Sequence, residues 1–86
     1  MNDIQKEIMD KFPKFEWKLY KKAPQPYYNT DCYYMIMQKN ITGRPDRWIM
    51  VYPDGLIRCN GYYEDSDVSL QEARKMYKKF LLNNFK

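Results

Sequence analysis

The chain has 86 residues, of which 44% are hydrophobic, 17% aromatic and 30% charged, with a formal net charge of +4. That length gives one small domain, residues 1–86, with one modest core, near the lower end for independent folding. The aromatic content argues against a disordered chain. The mild positive charge falls short of the dense basic stripe of a dedicated nucleic-acid binder.

In chain order, Asn2 or Asp3 can cap a short helix carrying Ile4, Ile8 and Phe12 on one face, and Pro13 stops it. Phe15 to Lys22 alternates as a strand, with Phe15, Trp17 and Leu19 on one side and Glu16, Lys18, Tyr20 and Lys22 on the other. A loop from Ala23 through Pro24, Pro26, Tyr27 and Tyr28 leads to Thr30. Cys32 to Gln38 is a second strand, apolar on both sides, so pattern alone does not choose its core face. Lys39 to Asp46, with Gly43 and Pro45, reads as a loop.

The segment from Arg47 to Cys59 reads as a tight hairpin around Pro53-Asp54-Gly55, its second strand fading near Gly61. Tyr52 then lies opposite Leu56, Val51 opposite Ile57, and Met50 opposite Arg58. Ile49, Val51, Ile57 and Cys59 form one face, ordinary core material. Trp48, Met50, Tyr52, Leu56 and Arg58 form the other. Ser69 and Glu72 fit a capping box for a last helix running to about Asn83. It would bury Leu70, Ala73, Tyr77, Phe80 and Leu81 and expose Arg74, Lys75, Lys78 and Lys79 as solvated surface. The predicted fold is therefore α+β and two-layered. An antiparallel four-stranded meander sheet is flanked by an N-terminal and a C-terminal helix, both on the Ile49/Val51 face.

Neither a signal peptide nor a membrane-spanning stretch is visible, which predicts a cytoplasmic protein with no membrane partner. In a reducing compartment Cys32 and Cys59 are expected to be buried free thiols, a cross-sheet disulfide being the less favoured alternative. Asn40-Ile41-Thr42 matches a glycosylation acceptor, without meaning in a protein that is not exported. Residues with AT-rich codons (Phe, Tyr, Met, Ile, Asn, Lys) outnumber those with GC-rich codons (Gly, Ala, Arg, Pro) three to one. That bias points to a low-GC bacterium or one of its phages.

The chain contains no histidine, which removes the commonest general base and metal ligand, and two cysteines alone cannot build a usual structural zinc site. Gly43, Gly55 and Gly61 are too widely spaced for a phosphate-binding loop. A nuclease-like reading could use Asp54 or Asp46 with Glu16-Trp17-Lys18, but a second metal-binding acid has no clear candidate. Glu64, Asp65 and Asp67 do not continue as a calcium loop, because Leu70 stands where glycine is needed and Met76 where glutamate is needed. Acids there offset the positive end of the following helix. The expectation is a non-enzymatic protein with no cofactor and no metal.

The helix–strands–helix order resembles a double-stranded-RNA-binding domain, a family that grips phosphate from the start of its last helix with lysines. Here Glu64, Asp65, Asp67 and Glu72 occupy that end. Trp48-x-x-Val51-Tyr52-x-Asp54-Gly55, followed by Gly61-Tyr62 and Gln71-Glu72-Ala73, is similar to the arm domain of phage-type integrases. That resemblance implies a basic sheet face inserted in a DNA groove, for which this hairpin offers Arg47 and Arg58.

The outer hairpin face therefore carries the functional question. It is either covered by the first helix or the Tyr27-Tyr28 loop, paired in a homodimer, or open to another molecule. The expected contact set is Trp48, Met50, Tyr52, Leu56 and Arg58, with Lys18, Tyr20 and Lys22 beside them. A protein partner, or a second copy, is the first expectation. Nucleic acid is the alternative, with the aromatics stacking on bases and the Lys and Arg side chains meeting phosphate.

Overall fold

The computed structural model describes residues 1–60 and 65–84. The elements are α1 (Asp3–Met9), β1 (Lys18–Tyr20), β2 (Cys32–Lys39), β3 (Pro45–Val51), β4 (Ile57–Asn60), β5 (Asp65–Val68) and α2 (Leu70–Asn84). All strand pairs are antiparallel and the spatial order follows the chain, β1-β2-β3-β4-β5. The α+β class, the meander and the terminal helices match the sequence reading. The sheet has five strands, however, not four.

The added strand is the acidic segment read as a prelude to the last helix. Its composition is poor for a strand, yet its alternation suits the sheet. Val68 pairs with Ile57 and packs against the main core, while Asp67 pairs with Arg58 on the opposite face. The Asp67 carboxylate accepts from Arg58 Nε at 2.8 Å. Ser69 then caps α2, its Oγ accepting from Glu72 N at 3.1 Å. Gly61, Tyr62 and Glu64, which entered the sequence reading, lie outside the described residues.

At the amino end, Asn2 and Gln5 form a reciprocal capping box. The buried side of α1 differs from the expected Ile4/Ile8/Phe12 stripe. Gln5 and Met9 are buried and Ile4 is exposed. Gln5 turns inward because Nε2 donates to the Asp31 carbonyl at 2.7 Å and reaches the Val51 carbonyl at 3.4 Å. The helix ends at Met9, before Pro13 is reached, and Phe12 is nevertheless fully buried. The strand expected from Phe15 to Lys22 keeps ladder pairing only at Lys18–Tyr20. Phe15 and Trp17 still enter the core, from an irregular segment pinned where Lys14 N donates to Tyr77 Oη at 2.9 Å.

The hairpin register is as expected: Ile49 pairs with Cys59, Met50 with Arg58 and Val51 with Ile57. Tyr52 N donates to the Leu56 carbonyl at 2.9 Å. Gly55 has φ +91, a region L residues avoid, and a Cβ there would stand 3.0 Å from Ile4 Cγ2. Glycine is thus demanded by the turn, and Ile4 of α1 packs closely over it.

The main core joins Met35, Met37, Ile49, Ile57 and Cys59 from the sheet to Phe12, Ala73, Tyr77 and Phe80 beneath it. Aromatic edges lock the layers together: Phe12 meets Tyr77 edge-on at 5.2 Å and Trp17 at 6.1 Å. Pairing of Met35 with Ile49 settles which side of β2 faces the helices. Cys32 lies on the other side, with Tyr34 and Met50. The two free, buried thiols therefore sit on opposite faces of the sheet, and the disulfide alternative falls.

Candidate functional site on the outer sheet face

Registers place Lys18 and Tyr20 of β1, Cys32 and Tyr34 of β2, Trp48 and Met50 of β3, Arg58 of β4 and Asp67 of β5 on the outer face. One half of this face is covered by the chain itself. The segment after β1 doubles back, closed by Asn29 N donating to the Lys21 carbonyl at 2.8 Å and Tyr27 N to the Pro24 carbonyl at 2.9 Å. Asn29 takes the left-handed φ of 62° that asparagine tolerates.

This strap lays Ala23 and Tyr27 over the hairpin end. The Tyr27 and Tyr52 rings pack together with centroids 4.3 Å apart and planes tilted by 34°. Tyr27 Oη donates to Asp54 Oδ2, while Asp54 Oδ1 accepts from Leu56 N at 3.0 Å. The hydrogen bond to Asp54 raises the Tyr27 pKa to about 12, and the same bond lowers that of Asp54. Burial raises the Tyr52 hydroxyl and the Cys32 thiol. At neutral pH the strap is thus a neutral phenol held on an ionised carboxylate.

The strap divides the residues expected to form the site. Tyr52 is only 1% exposed, so it supports the strap and offers no surface to a partner. Leu56 packs in the same small cluster. Arg58 is engaged by Asp67, with its guanidinium 5.8 Å from the Tyr52 ring centre. Beyond the strap the face opens into a groove of about 200 Å³ lined by Tyr20, Tyr34, Pro45, Trp48 and Met50. Tyr20, Trp48 and Met50 belonged to the expected set; Met50, 8% exposed, forms part of the floor. Lys18, directly opposite Tyr34, and Lys22, just beyond Tyr20, are exposed beside it.

Sequence reasoning missed Tyr34 and Pro45. Tyr34 was visible only as one residue of a strand apolar on both sides. Its pairing with Met50, whose outward direction the hairpin already implied, is the signal that places it. Pro45 was read as loop, but β3 begins there and presents its ring at the groove's end.

Two of the acids considered for catalysis have side-chain partners. Asp54 holds the strap, and Asp46 accepts from Gln38 Nε2 at 3.4 Å. Among the described residues, no group of three or more His, Cys, Asp or Glu side chains is arranged to hold a metal ion. Among them, too, no helix is long and apolar enough to cross a membrane. No protein family, curated protein or solved structure matches the chain.

Proposed function

We propose that this is a non-enzymatic intracellular binding protein that engages a protein partner through the open half of its outer sheet face. The observation that carries the reading is the aromatic groove of Tyr20, Tyr34, Pro45, Trp48 and Met50. It lies beside an equally apolar half that the chain has covered with its own strap. Tyrosine, tryptophan and methionine are the residues enriched at interface centres. A second copy is the other protein partner this face admits.

The nucleic-acid alternative draws on Lys18 and Lys22 beside stackable rings. It loses one of its cations, because Arg58 is engaged by Asp67. A salt titration separates the two, since binding along a phosphate backbone weakens steeply between low and moderate salt and docking in a largely apolar groove far less.

The direct test is the Tyr20→Ser/Trp48→Ser variant compared with the parent by affinity capture from a low-GC bacterial host and by sedimentation velocity. The reading expects the parent's partner or self-association to disappear in the variant while circular dichroism stays unchanged. Identical capture and sedimentation profiles would eliminate the groove as a binding site.

A further inference from the structure

This inference rests on the groove being a protein-binding surface and specifies the segment it takes. We propose that the groove receives an extended, proline-bearing peptide segment that carries acidic residues. Tyr20 and Tyr34 meet edge to face, with centroids 5.7 Å apart and planes at 76°. They offer a corner, not a flat plate, and Trp48, Pro45 and the Met50 floor complete an apolar trough. Flat base stacking needs an open ring face. A proline ring, by contrast, fits an aromatic corner, brings no N–H that would go unpaired, and comes in an already extended, low-entropy backbone.

Charge selects further. Lys21 is paired with Asp31 and Arg58 with Asp67, but among the described residues Lys18 and Lys22 form no ion pair. Both stand on the β1 side of the trough, Lys18 opposite Tyr34. Two positive charges there repel an ammonium or methylammonium group, the other natural occupant of a Tyr/Trp cage. They attract carboxylates instead. At the Pro45 end Asp46, held by Gln38, is outnumbered by cations, with Lys39 paired to Pro45 and Arg44 exposed beside it. The trough is therefore apolar in the middle and acid-seeking at its rim.

The test is an amide NMR titration of the full chain with a blocked pentaproline peptide carrying aspartates at one end. Shifts should concentrate on Tyr20, Tyr34 and Trp48, with a dissociation constant on the order of 0.1–1 mM for so small a ligand. Exchanging the aspartates for lysines, or the prolines for alanines, should weaken binding about tenfold. Lys18→Glu/Lys22→Glu should reverse the preference between aspartate and lysine peptides. Overturning results are an aspartate peptide that leaves the groove unshifted, equal binding of the lysine peptide, or a second copy of this chain already occupying the trough. If the peptide fails while Tyr20→Ser/Trp48→Ser still abolishes association, the ligand class is wrong and the binding surface stands. Failure of both removes the surface itself.

Discussion

Gln5 is the fully buried polar side chain of α1, and exchanging it tests how the fold is held beneath the hairpin. Gln5→Met keeps the length and removes three contacts: the 2.7 Å bond to the Asp31 carbonyl, the 3.4 Å approach to the Val51 carbonyl, and the 3.2 Å bond from Asn2 N. The Asp31 carbonyl, part-buried and left without this donor, should cost about 1–2 kcal/mol. Loss of one arm of the capping box adds about 0.5 kcal/mol. The extra apolar atoms return part of that, so the net loss should be about 1.5 kcal/mol, roughly 6–12 °C in Tm for a chain of this size. Gln5→Glu is sharper, because its ionised form points a carboxylate at two carbonyl oxygens. Burial and those oxygens raise the folded-state pKa of such a carboxyl above its unfolded value near 4.3. Its protonated form therefore keeps stability below about pH 4, and that stability drains away as pH rises through the higher folded value. Urea unfolding followed by tryptophan fluorescence, at pH 4 and pH 7, measures both with an unchanged m-value. A Gln5→Met midpoint within about 0.3 kcal/mol of the parent, or a Gln5→Glu variant no more pH-sensitive than the parent, would refute the reasoning.

The strap gives a two-sided pH response. Asp54 has a lowered pKa, so its contribution is present above the ordinary carboxyl range and is lost as pH falls through the folded value. Tyr27 is raised from 10.0 to about 12, so its contribution holds below pH 10 and is lost as pH climbs toward 12. Tyr27→Phe should flatten both arms of a stability–pH curve, and a curve of unchanged shape would show that the bond is idle. The Arg58–Asp67 pair is partly solvent-exposed, so Asp67→Asn should cost no more than about 1 kcal/mol and less in molar salt; a loss above 2 kcal/mol in urea melts would contradict this. Neither Cys32 nor Cys59 should react with a thiol reagent until the chain unfolds, and mild oxidation of the native protein should yield no intramolecular disulfide. Rapid labelling of either thiol under native conditions would contradict their burial.

The hairpin was legible because its information is local: Pro53-Asp54-Gly55 sets the register, and alternation then assigns both faces. The carboxy-terminal helix was legible for the same reason, with a cap at Ser69 and a periodic stripe through Ala73, Tyr77 and Phe80. β5 was not, because its strand character comes from partners on β4 and not from its own residues. The inward turn of Gln5 depends on carbonyls 26 and 46 positions away, which no local pattern announces. Three groove residues, Tyr20, Trp48 and Met50, were foreseen because alternation puts them on the outer face. The closure over Tyr52 was only one of several readings, since a loop's landing place is a tertiary choice that Tyr27 makes through a ring and an acid far along the chain.

A meander leaves the first and last strands of its sheet without neighbours on one side, and open edges recruit other strands into aggregates. That hazard is acute for a sheet apolar on both faces. Here one edge, β1, is three residues long, too short to template much. The other, β5, is a strand of Asp, Ser, Asp and Val. Two copies meeting along it would bring carboxylates together. The segment with the poorest strand composition is thus the one at the edge, where it makes a poorer template for polymerisation than a better strand in its place.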